Sequence, residues 1–532
     1  MRVHSWNQPF DDAGVAQLGR VLPRFLTGRR WFRAKARTIA SLNIRDQIQI
    51  PNMNAVLLVI EIEYHDGARD EYFFPVSLRP SANFVQSSEV VARLEAPDGS
   101  IGTLTEATVE PGFREALLEA VVCNRTWEGQ NGSLTGRRES ALDRFSSPSA
   151  GQIDSSLSRS EQSNTSIVYE NKYILKIFRK LEEGINPEIE IGAFLTQRGF
   201  QHIPAVLGTI DYHVRESKAC FAAAVLEEFV PNRGDAWRYT LESLAAFFER
   251  ASAAGAPPAL PAQHPLNLMA QDLPVEVRGL LGEYATSVHT LGKRTAQMHA
   301  ALTDETGGPD FAPEPFTRAD GEKLFQDLIA QADIALELLR RKLPTLLDCD
   351  EDARHLLRLE SELTNRFEPL RQLTVSTARI RHHGDYHLGQ VLYTGADFII
   401  IDFEGEPVRT IEERRRKALA MRDVAGMVRS FQYAAFAALF GQTSGEPPQG
   451  EQTPTLEAWA ALWTPWVSAL YLNAYFEESR GLKFVPETDR ERRVLLDAFL
   501  LQKALYELAY ELNNRPDWVR IPLRGILSLI AG

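Results

Sequence analysis

A chain of 532 residues is too long for one compact core, and two or three subdomains are expected. With 44% hydrophobic and 24% charged side chains it has the composition of an ordinary globular protein. A formal net charge of −13 argues against a nucleic-acid binder, because a polyanionic backbone rewards a basic footprint, and it suits a neutral or cationic small molecule.

From about Leu18 to Val109, short alternating runs such as Ala55–Ile62 and Tyr72–Val76 are separated by Pro, Gly and Asn, which predicts antiparallel strands. From Glu115 to Val230 the pattern is helix, polar loop, paired strands, helix and strands, with Ser146–Ser166 the most loop-like part. Beyond Gly234 the texture turns helical, as in Leu241–Ser252, Tyr284–Leu302, Ala332–Leu343, Val424–Leu439 and Leu495–Leu512. Two inserts, Ala253–Pro265 and Gly441–Pro454, read as solvated loops, and no repeat is found. Cys123, Cys220 and Cys349 are too irregularly spaced for a disulfide framework or a zinc set, so a reducing compartment is expected. Without an apolar run near ~18 residues, or a basic head and apolar stretch in Met1–Asp12, the expectation is a cytoplasmic protein with no membrane partner.

The densest chemistry lies in Arg381–Pro407, RHHGDYHLGQVLYTGADFIIIDFEGEP. A loop around His383-Gly384-Asp385 leads to Val391-Leu392, then to the apolar strand Phe398–Ile401, which ends in acidic residues. Asp402, Glu404 and Glu406 are two apart and point to one side if the chain stays extended. A carboxylate at the end of a buried strand suits a hard cation such as Mg²⁺, and Gln390 offers another oxygen five positions after Asp385. Protein kinases place a catalytic Asp, an amide ligand five later and a metal-binding Asp on the next hairpin in this order. His383-x-Asp385-x-His387 is also a spacing that holds zinc in metallohydrolases. On the kinase reading His383 orients the loop.

A kinase also needs positive charge for the ATP phosphates. Lys176 is the one charge in the apolar strand Tyr173–Phe178, YILKIF, and is placed either in a buried strand with a partner or at an exposed edge. The following helix, PEIEIGAFL at Pro187–Leu195, offers Glu188 and Glu190, of which Glu190, set deeper in the helix, is the expected partner. Ser163, Asn164 and Thr165, between two expected strands, could cover the phosphates through backbone N–H groups and hydroxyls. Chain order puts the adenine-reading backbone near Glu228–Val230, where strand gives way to helix.

Together these residues resemble the maltokinase family, relatives of the aminoglycoside phosphotransferases. The matching segments are HGDYHLGQVL at His383–Leu392, IIIDFEGEP at Ile399–Pro407, RDVAGMVRSFQYAA at Arg422–Ala435 and EQSNTSIVY at Glu161–Tyr169. INPEIEI at Ile185–Ile191, LGKRTAQMHAAL at Leu291–Leu302 and YELAYELNNRPDWVRIPL at Tyr506–Leu523 add to them. RRWFRAKAR at Arg29–Arg37 looks like the family's cap segment, with Arg33 and Ala34 where small residues are usual. The resemblance implies an α+β, bilobal protein-kinase-like fold of the aminoglycoside phosphotransferase type. Its parts would be a cap subdomain at 1–112, a mixed-sheet, ATP-binding N-lobe at 113–233 and a mainly helical C-lobe at 234–532 carrying the catalytic and sugar sites. It implies transfer of the γ-phosphate of ATP to the anomeric hydroxyl of maltose, giving maltose 1-phosphate for α-glucan synthesis. Asp385 would be the catalytic base, Gln390 and Asp402 metal ligands with Glu404 a weaker one, and Lys176 with Glu190 the phosphate-positioning pair. Asp423 would brace the catalytic loop, where its place before an apolar helix also suits a cap. A trehalose-converting enzyme is a possible partner, since some relatives are fused to one.

A disaccharide offers hydroxyl edges and apolar ring faces, and the C-terminal run supplies matching groups in Tyr506, Glu507, Tyr510, Glu511, Asn514, Arg515 and Trp518. Tyr506 and Tyr510 share a helical face, as do Glu507 and Glu511. The aromatic stripe Trp459, Trp463, Trp466, Tyr471 and Tyr475 is expected in the core, and the basic run Arg414–Lys417 on a solvated helix face. Within kinases the acceptor could instead be another sugar, an amino sugar, an aminoglycoside or a choline-like alcohol; outside them stand a pseudokinase binding module and a zinc hydrolase.

Overall fold

The computed structural model describes residues 1–2, 12–35, 37–80, 89–144, 153–158, 164–258, 263–346, 349–373, 376–439 and 453–531. They fall into two compact units, Met1–Pro231 and Asn232–Gly532.

The first unit opens with a helix, α1 (Asp12–Thr27), where strand was expected from Leu18 onward. Leu18, Leu22 and Leu26 are four apart and fully buried, which is the period of one helical face. Strands β1 (Ile39–Gln49), β2 (Ala55–Tyr64), β3 (Arg69–Pro80), β4 (Val90–Glu95) and β5 (Ile101–Glu106) form an antiparallel sheet in the order β1-β2-β3-β5-β4. Alternate residues of β2 serve different cores. Val56, Leu58 and Ile60 pack with the α1 leucines, while Leu57 and Val59 pack with Phe113 and Leu117 of the next helix, α2 (Pro111–Val122). Burial on both faces explains the near-continuous apolar run of β2.

A second, seven-stranded antiparallel sheet follows. Its strands are β6 (Thr126–Glu128), β7 (Gly132–Arg138), β8 (Ser155–Leu157), β9 (Thr165–Tyr169), β10 (Tyr173–Ile177), β12 (Val206–Val214) and β13 (Cys220–Glu228), in the order β6-β7-β12-β13-β10-β9-β8. The short β11 (Lys180–Leu181) crosses back to pair with β3 of the first sheet. Helix α3 (Pro187–Gln197) starts at Asn186, whose side chain accepts from the Glu188 N–H at 2.9 Å, with Pro187 in the first turn.

The second unit is mainly helical. Its helices are α4 (Ala236–Ala254), α5 (Pro265–Leu268), α6 (Val275–Leu281), α7 (Tyr284–Ala301), α8 (Arg318–Lys342), α9 (Asp350–Arg358) and α10 (Glu360–Asn365). After them come α11 (Ile411–Arg414), α12 (Met421–Leu439), α13 (Thr453–Glu478), α14 (Asp489–Asn514) and α15 (Arg520–Ala531). Two small antiparallel pairs interrupt them, β14 (Glu314–Pro315) with β15 (Ala378–Arg379), and β16 (Val391–Tyr393) with β17 (Phe398–Ile400). Helix α12 packs against α13 and α14, and α7 against α13. Trp459, Trp463, Trp466, Tyr471 and Tyr475 are all buried in α13, as an aromatic stripe at helical spacing should be. Among the described residues no helix is long and apolar enough to cross a membrane.

Candidate active site

In the first unit Lys176 lies on β10, a central strand with β9 and β13 on either side, opposite Ser166 and Val225. It is 7% exposed and its Nζ stands 3.5 Å from Glu188 Oε1. The edge-strand reading is thereby removed, and Glu188, the other carboxylate offered by the helix beside the expected Glu190, stands within ion-pair distance of the lysine. The buried face of α3 runs through Glu188, Ile191, Gly192 and Leu195. Thr165 begins β9, and its hydroxyl accepts from Arg179 Nε at 2.8 Å; Asn164 before it is buried. Ser163 lies outside the described residues. The Glu228 N–H is used in the sheet, donating to the Ala205 carbonyl at 2.9 Å, and Val230 follows just past the end of β13.

In the second unit the loop His382–His387 is fixed from several sides. The Asp423 carboxylate, at the start of α12, accepts from the N–H groups of His383 at 2.7 Å and Gly384 at 3.0 Å. His299 on α7 reaches Asp423 Oδ2 at 3.1 Å and the Tyr475 hydroxyl at 2.9 Å, so three helices meet at this carboxylate. Asp423 therefore braces the loop. Burial pushes its proton affinity up, but His382, His299 and His383 outweigh burial and hold it well below the usual carboxylate range. Helix α12 also comes so close that a Cβ on Gly426 would stand 2.6 Å from the Tyr386 carbonyl oxygen. His383 is buried, with Nε2 at 2.9 Å from the Ile401 carbonyl and Nδ1 accepting from the Asp385 N–H at 3.4 Å. Both ring nitrogens are thus engaged in orienting the loop, and none is left for zinc. Among the described residues no three His, Cys, Asp or Glu side chains gather as a metal cluster.

Asp402 follows β17 with φ of 65°, a left-handed backbone uncommon outside glycine and of a kind that collects at functional sites. The Gln390 amide donates to Asp402 Oδ2 at 2.7 Å, so the two side chains predicted to share a cation are in contact. Oxygen donors of this kind fit Mg²⁺, which is held by one or two carboxylates together with substrate phosphates. The extended run expected through Glu406 is broken. Asp402 and Gly405, the latter at φ of 74°, turn the chain. Glu406 is then buried against Arg409 and Arg422, and the Glu404 carbonyl accepts from Arg414 at 3.1 Å. The basic run expected on a solvated face is likewise corrected, since Arg414 is buried under this turn and Lys417 is held 2.8 Å from Glu314.

Asp385 opens onto a cavity of about 440 Å³ lined by the C-terminal residues Tyr506, Glu507, Tyr510, Arg515 and Trp518. Lys503, which the sequence analysis missed, donates from Nζ to Asp385 Oδ1 at 2.8 Å. Lys503, Tyr506, Glu507 and Tyr510 follow the i, i+3, i+4, i+7 stripe of one helical face, and that spacing could have found the lysine. Burial pushes the Asp385 carboxyl up, but Lys503 and His387 outweigh it and leave it well below the ordinary range. Burial lowers the proton affinity of Lys503, which Asp385, Glu406 and Glu507 more than restore. The other carboxylates of the cavity are also matched. Arg429, fully buried, donates to Glu507 at 2.7 Å, and Glu511 accepts from Arg515 Nε at 2.8 Å and from the Tyr433 hydroxyl at 2.6 Å.

Residues 25–109 match the model of the maltokinase N-terminal cap domain. The chain is 23% identical over 423 residues to a glucosamine kinase from Mycolicibacterium smegmatis, covering 79% of this chain and 88% of that protein. A glucosamine kinase from Streptacidiphilus jiangxiensis is 26% identical over 244 residues, covering 45% of this chain and 48% of the other. The solved structure of a glucosamine kinase in complex with glucosamine, ADP and inorganic phosphate aligns with a TM-score of 0.57 at 17% identity, over 95% of this chain and 98% of that one.

Proposed function

We propose that this chain, a member of the aminoglycoside phosphotransferase-like kinase superfamily with a maltokinase N-terminal cap domain, transfers the γ-phosphate of ATP to the anomeric hydroxyl of maltose. The observation that carries the acceptor class is the set of ion pairs around the cavity. Asp385, Glu507 and Glu511 each already hold a cation of the chain, Lys503, Arg429 and Arg515 respectively. A substrate ammonium would compete with these cations for the same carboxylates, whereas a neutral sugar can accept from the cations and donate to the carboxylates. Tyr506, Tyr510 and Trp518 supply faces for sugar rings, and about 440 Å³ lies within the roughly 300–1,000 Å³ of small-molecule pockets.

The roles follow from the geometry. Lys503 occupies Asp385 Oδ1, so Oδ2 is the oxygen that faces an acceptor hydroxyl. A carboxylate held so acidic is a weak base, and its work is to align the hydroxyl and take the proton late, when charge has built up on the attacking oxygen. Asp402 and Gln390 would hold Mg²⁺, which would supply charge neutralisation for the phosphates. Lys176, paired with Glu188, serves the nucleotide phosphates, with the backbone at Asn164 and Thr165 over them and that near Glu228 and Val230 at the base. Residues 1–112 form the cap, 113–233 the nucleotide-binding sheet and 234–532 the catalytic and acceptor part.

Glucosamine, the sugar of the relatives, is the second reading, favoured by the number of carboxylates in the cavity. A coupled assay for ADP with maltose, glucose and glucosamine, with and without Mg²⁺, separates them. Mg²⁺-dependent ADP release with maltose is the expected result. Release with glucosamine alone would transfer the assignment to an amino-sugar kinase, and no release with any acceptor would leave a binding module.

A further inference from the structure

The second unit holds another cavity, of about 740 Å³, that shares no lining residue with the one at Asp385. It is bounded by α8, by the segments around Arg379 and Arg409–Arg422, and by Phe499 and Gln502 on α14. Seven lysine or arginine side chains line it against five carboxylates, an excess of positive charge in a chain of net charge −13. Most are tied in pairs, such as Lys417 with Glu314 at 2.8 Å and Arg379 with Asp320 at 2.8 Å. Lys323, exposed on α8, makes no ion pair among the described residues.

His382 lines the same cavity. It is 6% exposed, and neither ring nitrogen has a hydrogen-bond partner among the described residues. Arg379 Nε, on the same wall, also lacks one among them. Burial keeps the His382 ring neutral down to about pH 4, so it presents one donor and one acceptor. A buried group left without either bond is costly, and a hydroxyl satisfies both kinds. Phe316 and Phe499 add apolar surface beside it.

We propose that this cavity is a second ligand site, for a phosphate-bearing polyol of the sugar-phosphate class, and that its occupancy is felt at Asp385. The phosphate meets the lysine and arginine rim, and the polyol hydroxyls meet His382. The route to Asp385 runs through Glu406. Arg409 and Arg422 line the cavity and both hold Glu406, Arg422 at 3.0 Å, and Glu406 in turn adds to the field at Lys503, the partner of Asp385. An anion that draws Arg409 and Arg422 toward itself leaves Glu406 to compete for Lys503, which loosens the Lys503–Asp385 pair.

Calorimetric titration of the full chain with glucose 1-phosphate, inorganic phosphate and maltose tests the site, and this binding does not depend on which acceptor the kinase uses. Glucose 1-phosphate should bind to the wild type and to Arg515→Ala alike. In the double variant Lys323→Glu, Arg416→Gln it should bind at least about tenfold more weakly, with turnover in its absence unchanged. In His382→Phe the preference for glucose 1-phosphate over inorganic phosphate should disappear. Equal affinity for inorganic phosphate in the wild type would overturn the polyol half of the proposal. No binding at millimolar glucose 1-phosphate, or binding abolished by Arg515→Ala and kept by the double variant, would overturn the site. Bound glucose 1-phosphate should also change the kcat of the wild type and not that of the double variant; equal response in both would overturn the coupling.

Discussion

Each unit sets a lysine against a carboxylate, and the two pairs differ in burial, spacing and the elements that carry them. Lys176 and Glu188 are 8% and 3% exposed and 3.5 Å apart, with the carboxylate on a helix face and the lysine on a central strand. Lys503 and Asp385 are 17% and 19% exposed and 2.8 Å apart, with the lysine on a helix and the carboxylate on a loop. On the function proposed above, the first pair would set its lysine at the phosphates and the second its carboxylate at the acceptor hydroxyl. Sequence motifs single out Lys176 and Asp385, and the fold shows a side chain that each one meets.

Replacing the working carboxylate separates the pairs most. Asp385→Asn should lower kcat by roughly 10²–10⁴ with the KM for ATP little changed, and near-normal turnover would remove the base assignment. Removing the lysine that serves it is the next largest effect. Lys503→Met should cost about 10–100-fold in kcat/KM for maltose, because Asp385 loses a charge-assisted hydrogen bond and its proton affinity rises. If Lys503 also sets acceptor charge, the same variant should narrow the preference for maltose over glucosamine, and an unaltered ratio would deny it that part. In the first pair, Glu188→Gln should raise the KM for ATP about tenfold and Glu190→Gln clearly less; the reverse order would restore Glu190. Arg515→Ala, which removes a guanidinium already shared with Glu511, should raise the KM for sugar several-fold and leave that for ATP in place.

The smallest effect is the one expected of pH. Asp385 and Asp423 are held below the ordinary carboxylate range, so their stabilisation is complete above about pH 4 and is lost as pH falls through the lower native values. Lys503 is held above the ordinary lysine range, so its stabilisation is complete below about pH 10 and is lost as pH rises beyond that. These three groups alone would leave the melting temperature level from about pH 5 to 9, but His382, held neutral by burial down to about pH 4, takes up its proton only in the unfolded chain, so the melting temperature should fall as pH drops below about 6.5. A level melting temperature between pH 7 and 5, or a fall that His382→Phe leaves in place, would contradict it.

The contact between Gln390 and Asp402 was legible because a loop followed by a short hairpin is a local structure with fixed spacing. The C-terminal lining residues were legible because Tyr506, Glu507, Tyr510 and Arg515 carry sugar-binding chemistry within one short run. Lys503 was not, since a lysine in a helix is usually solvated and its partner lies 118 positions away. Glu188 was set behind Glu190 for the latter's depth in α3, and its approach to Lys176 was not legible because contact depends on the angle around the helix and on which face is buried. The segment Leu18–Thr27 was misread because arginines and Pro23 obscure its leucine period. Whether the chain stays extended from Asp402 to Glu406 was left conditional, because a left-handed residue at Asp402 cannot be inferred from alternation alone.

The close approach of α12 to the Tyr386 carbonyl has a thermal consequence. With no gap at Gly426 and two N–H groups bonded to Asp423, the catalytic loop has no cheap local opening of its own. Heat should therefore abolish turnover only when the helices themselves come apart, so that inactivation and loss of helical signal follow a single curve.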